Sequence, residues 1–242
     1  MMRAVVFDLG HTLIDYCNDW RVPERRAVLE FHRAVSNGVE KPPREEKFAR
    51  ILMEGLEQAR RRRRREMIEI PLVSFLEDRL RVLDVDPKED LIEEGLGIFY
   101  QALLEHRTLI PGAVEILRNL EESGYLIGLI SDVAWGLPSR FPLMDLGHYG
   151  LDVFFDDMVF STDVGLRKPN PMIFSIALEN LGARNEESVY VGNNLQTDIA
   201  GALGAGMKAV LKSSDYFFPD DRIVPSAKIA DWSEFESVLE SL

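Results

Sequence analysis

Three polar residues stand where apolar runs stop. Asp8 follows Ala4-Val5-Val6-Phe7, Ser131 follows Ile127-Gly128-Leu129-Ile130, and the Gly192-Asn193 turn follows Val189-Tyr190-Val191. A fourth, Lys168, lies in Gly165-Leu166-Arg167-Lys168-Pro169-Asn170-Pro171, just ahead of a proline suited to the first turn of a helix. A carboxylate at a strand end can attack an electrophile. A hydroxyl, an ammonium and the unpaired N–H groups of a helix N-terminus can hold the oxygens of the attacked group. Alone, Asp8 would read as a carboxylate closing a turn. Together the four point to nucleophilic attack on a phosphate or another oxyanion-bearing group.

Such residues converge only if a sheet delivers them to one edge. Short β-branched and aromatic runs at 4–7, 125–130, 158–160, 188–191 and 208–211 read as buried strands. Helices are expected at 113–122, 171–181 and 199–205, the first two stopped by Gly124 and Gly182, with an amphipathic helix over 233–242. Strands separated by helices imply parallel pairing and right-handed crossovers. The predicted fold is α/β: a Rossmann-like parallel sheet with helices on both faces. Ligands of such sheets bind at the carboxyl ends of the strands, where Asp8 falls.

After the first strand the pattern turns helical near 23–36, 44–66, 71–83 and 88–106, punctuated by Pro23, Pro42-Pro43, Pro71 and Pro87. Residues 15–106 carry 17 of the 28 Lys and Arg and 20 of the 41 acids, a net of −3, which leaves −10 for the rest. This shift predicts two modules, an all-helical one over 15–106 and a discontinuous core over 1–14 and 107–242.

A formal charge of −13 argues against sequence-independent nucleic-acid binding, which depends on Lys and Arg neutralising phosphates. No apolar stretch reaches membrane-spanning length, the start lacks a signal-peptide pattern, and the single Cys17 excludes an internal disulfide. A cytoplasmic protein, monomeric or homodimeric, without membrane or nucleic-acid partners, is the expectation.

Four stretches carry a resemblance: VVFDLGHTL at 5–13, LIGLISD at 126–132, GLRKPNP at 165–171 and YVGNNLQTDIAGALGAGM at 190–207. In content and order they resemble the haloacid dehalogenase-like hydrolases, in the subfamily with a helical cap inserted after the first strand. The resemblance implies a phosphatase acting on a small phosphomonoester. Asp8 would be the nucleophile that becomes an aspartyl-phosphate, Thr12 would orient its loop, and Ser131 would bind substrate oxygens. Lys168 would balance charge, with Asp132 and Asn194 beside the substrate. It also implies Mg²⁺, held by Asp8, the Gly10 carbonyl and the loop containing Asn193 and Asp198.

Two positions depart from the family pattern. Phosphatases of this kind carry a second aspartate two residues after the nucleophile, where this chain has Gly10. Losing a positioned acid–base group typically removes about 10²–10⁴-fold in rate. Asn193 stands where a metal-binding aspartate is usual, and a neutral oxygen lowers affinity for the cation. Three explanations stay open. His11 or Asp132 takes over the proton work; the chemistry is instead dehalogenation or phosphonate cleavage; or catalysis is impaired and the chain binds a phosphorylated ligand.

The run Arg60–Arg65 invites an anion-steering role, but successive helical residues point around the whole circumference, and Glu54, Glu57, Glu66 and Glu69 sit at pairing distance. A solvated, charged helix is expected there. Tyr16, Trp20, Tyr100 and Trp135 are candidate specificity residues, but each reads first as an ordinary core aromatic.

Overall fold

The computed structural model describes residues 2–216 and 218–242. The chain opens with β1 (Ala4–Phe7) and a short β2 (Ile14–Asp15). It then enters four helices, α1 (Arg21–Gly38), α2 (Glu45–Glu66), α3 (Leu72–Val82) and α4 (Glu89–Leu104), and returns through β3 (Thr108–Leu109). Next come α5 (Ala113–Glu122), β4 (Leu126–Ser131), α6 (Arg140–Tyr149), β5 (Asp157–Phe160), α7 (Ser161–Val164) and α8 (Pro171–Leu181). Last are β6 (Ser188–Gly192), α9 (Ala200–Gly204), β7 (Lys208–Lys212), β8 (Ala227–Ile229) and α10 (Phe235–Ser241).

Six strands pair in parallel in the order β5-β4-β1-β6-β7-β8. The chain builds outward from β1 through β4 to β5, then restarts on the other side of β1 with β6. That reversal opens a crevice at the carboxyl end of β1, the usual ligand position of such sheets. Alternation along β1 separates the faces. Val5 and Phe7 join a core with Leu117, Trp232 and Phe235, whereas Ala4 and Val6 join Ile173, Phe174, Leu178 and Ala202 of α8 and α9. Phe7 meets Trp232 edge-on, with ring centroids 5.7 Å apart.

The helical insert has its own apolar seam. Val28, Phe31 and Val35 of α1, Phe48, Leu52 and Leu56 of α2, and Leu96 and Phe99 of α4 recur at helical spacing and are buried. Truncating Phe31, fully buried and 5.8 Å from Phe48, would cost about 3–5 kcal/mol. The insert leaves and rejoins the rest of the chain through an antiparallel ribbon that pairs Ile14 with Leu109 and Asp15 with Thr108.

The short β2, β3 and α7, together with α6 and β8, go beyond the sequence reading. Helix α6 carries Pro142 in its first turn and Gly147 near its end, which blur its periodicity, and β8 has only three residues. Among the described residues, no helix is long and apolar enough to cross a membrane.

Candidate active site

Asp8 is fixed by its backbone before its side chain is considered. Its N–H donates to the Val191 carbonyl (2.9 Å), carrying the β1–β6 pairing one residue past the strand. The following turn is tight: the Leu9 carbonyl accepts from Leu13 N (2.9 Å) and Ile14 N (3.1 Å), and His11 takes a left-handed φ of 59°. This turn brings Thr12 back over Asp8, where its hydroxyl donates to Asp8 Oδ2 (3.0 Å).

Lys168 approaches from the loop ahead of α8. Its ammonium donates to Asp8 Oδ1 (2.6 Å), to the Tyr190 hydroxyl (2.8 Å) and to the Ile130 carbonyl (3.2 Å). It also lies 2.7 Å from Asp198 Oδ1. Burial works against the charge of Lys168, but Asp198 and Asp8 outweigh it and hold the ammonium well above its usual range. Burial lifts Asp198 in the opposite sense, to about 6, helped by the nearby Asp8 charge and opposed by Lys168.

Asp198 sits on a π-helical turn, 195–199, that follows β6. The Asn194 carboxamide oxygen caps this turn, accepting from Gln196 N (2.9 Å) and Thr197 N (3.2 Å), and Asn194 N donates to Asp198 Oδ2 (2.9 Å). A Cβ on Gly192 would lie 2.6 Å from the Asp198 side chain, so glycine is what lets this carboxylate fold back onto the strand end.

The remaining predicted residues fall into two groups. Ser131 ends β4 with its side chain buried, and its hydroxyl makes no hydrogen bond among the described residues. Asn193 donates through Nδ2 to Ser214 Oγ (3.1 Å) and to the Tyr216 carbonyl (2.9 Å), leaving its oxygen as the group for a ligand. Asp132 and His11 are engaged with protein instead. Asp132 Oδ1 accepts from Lys168 N (3.1 Å) and Oδ2 lies 3.5 Å from Arg167 Nε, so the carboxylate pins the lysine loop. His11 stacks on Tyr216 with centroids 4.5 Å apart, and its Nδ1 lies 3.0 Å from Asp15. Burial pushes the imidazole below its usual range, with Asp15 opposing. Beside it, a Cβ on Gly10 would meet the Tyr16 ring at an ordinary 3.8 Å.

The oxygen donors suit a hard divalent cation. Asp198 Oδ1 is a buried oxygen that meets no hydrogen-bond partner among the described residues, although the Lys168 ammonium lies 2.7 Å away. Asp8 and Asp198 place two carboxylates around one ammonium, Asn193 presents a neutral oxygen, and the Gly10 carbonyl accepts no backbone hydrogen bond among the described residues. Oxygen-rich, partly neutral sets of this kind bind Mg²⁺ with several waters retained.

Several participants had no local sequence signal. Tyr190 points into the cluster from an apolar strand, and burial raises its hydroxyl well above the usual range, offset in part by Lys168. Asp145 of α6 is buried and accepts from Tyr16 (2.7 Å), Tyr100 (2.7 Å) and Arg107 (2.5 Å). It therefore joins both links of the insert to the sheet domain. Within the arginine run, Arg61, Arg62 and Arg65 pair on the surface with Glu57 and Glu66 as expected. Arg63 does not. It is buried against Glu69, because its helix face meets the core rather than water.

Comparison with known proteins gives the family. A protein from Methanothermobacter thermautotrophicus named glyceraldehyde 3-phosphate phosphatase is 30% identical over 89% of this chain and 87% of its own. A ribulose-1,5-bisphosphate 5-phosphatase from Halopiger xanaduensis is 30% identical over 87% of this chain and 84% of its own. A HAD-hydrolase from Bacillus subtilis, solved with bound magnesium, shares the fold with a TM-score of 0.63 at 20% identity over 98% of both chains. The model of the haloacid dehalogenase-like hydrolases matches residues 2–206, and the chain belongs to that family.

Proposed function

We propose that the chain hydrolyses small phosphomonoesters through a covalent intermediate on Asp8. The observation that carries this reading is the buried Asp8–Lys168–Asp198 cluster at the switch point of the sheet. A carboxylate oxygen of Asp8 attacks phosphorus and the bond to the ester oxygen breaks. The leaving alkoxide takes a proton from solvent water, and a water molecule then cleaves the aspartyl-phosphate to release phosphate and regenerate Asp8. Thr12 and Lys168 orient the nucleophile, while Lys168 and Ser131 offset charge on the phosphoryl oxygens.

Mg²⁺ is the fitting cation. Asp8, Asp198, Asn193 and the Gly10 carbonyl would hold it, and when bound it neutralises charge on the phosphoryl group. Residues 1–14 and 107–242 form the catalytic part, and the helices of 15–106 cap it. The two curated relatives are named for glyceraldehyde 3-phosphate and ribulose-1,5-bisphosphate, so small sugar phosphates are the first substrates to try. Because Gly10 supplies no acid, turnover is expected to be slow with poor leaving groups.

The test is a phosphate-release assay across such esters with added Mg²⁺. Asp8→Asn should lower turnover by roughly 10⁴-fold or more. Wild-type protein that binds these esters without turning them over would favour a ligand-binding role. Turnover surviving in the variant would place the nucleophile elsewhere.

A further inference from the structure

The insert reaches the lysine loop along one strap. Helix α2 ends at Met67, whose left-handed backbone (φ 52°) turns the chain onto the core. Residues 67–69 then run antiparallel to 165–167. Arg167 N donates to the Met67 carbonyl (3.0 Å), Glu69 N donates to the Gly165 carbonyl (2.9 Å), and Ile68 bridges Leu166. Lys168 is the next residue.

The side chain of Glu69 closes this junction. It is 0% exposed and accepts four hydrogen bonds. Oε1 takes Arg63 Nε and Ile70 N, both at 2.8 Å, and Oε2 takes Arg167 Nη1 (2.6 Å) and Ser161 Oγ (2.5 Å). Arg63 and Glu69 belong to the insert, whereas Ser161 and Arg167 belong to the sheet domain. Arg63 also donates to the carbonyls of Ile70 and Trp135, each at 2.5 Å. A Cβ on Gly136 would lie 2.3 Å from the Ile70 carbonyl, so these two segments approach this closely only over glycine.

The chain of contacts ends at the site. Arg167 donates to the Val133 carbonyl (3.0 Å) and lies 3.5 Å from Asp132 Oδ2, the carboxylate whose other oxygen takes the Lys168 N–H. Lifting the insert would strip Arg167 and Glu69 of each other, and unpaired buried charges are strongly disfavoured. We propose that Glu69 is a positioning residue: docked in the core, it fixes Arg167 and the 165–168 segment, so that Lys168 meets Asp8 and Asp198 only while the helical insert is seated. The inference rests on reading Lys168 as the cation that serves Asp8.

Glu69→Gln in the full chain keeps the shape of the side chain and removes its charge. Expected is a kcat loss of about 10- to 100-fold, the scale of a small misplacement of a reacting group, with KM changed by less than about threefold. Amide exchange at Arg167 and Lys168 should speed by about tenfold or more while β1 amides stay protected. A folded variant with wild-type kcat and unchanged exchange would overturn the proposal. Should Glu69→Gln fail to fold, the pair Arg63→Met with Glu69→Met replaces the insert's half of the cluster by apolar groups. The same kcat loss supports the proposal, and wild-type kcat in that pair overturns it. If the wild-type protein shows no Asp8-dependent turnover, the hydrolase reading falls. The exchange of the Lys168 amide then still decides whether Glu69 holds this loop.

Discussion

Two buried ionic clusters lie one residue apart along the chain, and they are built on opposite accounts of charge. Around Lys168 two carboxylates share one ammonium, and a buried oxygen of Asp198 is left without a hydrogen bond among the described residues. Around Arg167 the charges balance: Arg63 and Arg167 face Glu69 and Asp132, and every Glu69 oxygen is doubly engaged. Asp145, saturated by two tyrosines and Arg107, is of the second kind. A saturated cluster holds parts together. An acid-rich, incompletely bonded cluster is held ready for a cation or a substrate. The difference teaches that burial of charge alone does not mark a site; the imbalance does.

Removing charge should therefore act with opposite sign in the two kinds of cluster. The largest effect is expected at Asp145→Asn, which leaves Arg107 unpaired and should destabilise the fold by about 3–5 kcal/mol in denaturant unfolding. An effect under about 1 kcal/mol would break the comparison. Next, Mg²⁺ at about 100 times its dissociation constant should stabilise the protein by about 2.7 kcal/mol, with Asp8→Asn reducing the shift. Thermal unfolding with and without chelator measures it. Gly10→Asp adds a third acid to the cluster that already has an excess. It should lower metal-free stability by about 1 kcal/mol while raising kcat about tenfold with alkyl phosphates. No gain in kcat would shift the limitation to the cation.

The smallest effect concerns pH. The Asp198 carboxyl keeps its proton to about pH 6 in the folded protein, against an ordinary 3.8 in the unfolded chain. The folded state thus binds more protons in that interval, and stability from this group falls as pH rises from about 4 to 6. Asp198→Asn should flatten the slope and, above pH 6 without metal, stabilise the protein at the expense of activity. A variant with the wild-type slope would assign the titration to another group.

Much of the candidate cluster is legible because its residues sit at strand ends inside short, ordered motifs. Asp8, Thr12, Lys168 and Asp198 each carry a local signature, and the chain brings them together as expected. Glu69, Arg63 and Asp145 carry none. Their partners lie up to 129 residues away, as for Tyr16 and Asp145, and no local periodicity encodes such a pairing. In the sequence Arg63 reads with its neighbours as a solvated charge, because a run of six arginines hides which one faces inward. Trp135 is likewise more than a core aromatic: its indole donates to buried Glu24 of α1 (2.7 Å), across the junction of insert and sheet. Helix α6 carries Asp145, but Pro142 and Gly147 interrupt the periodicity that would announce it.

The ribbon joining Ile14 to Leu109 carries a consequence for how such a protein could be rebuilt. Antiparallel partners lie only about 5 Å apart, so the ends of a long excursion of chain are already neighbours. A two-residue hairpin could bridge them, and a foreign module with equally close termini could be spliced in without reshaping the sheet. The helical insert would then be an exchangeable part, plugged into a constant sheet.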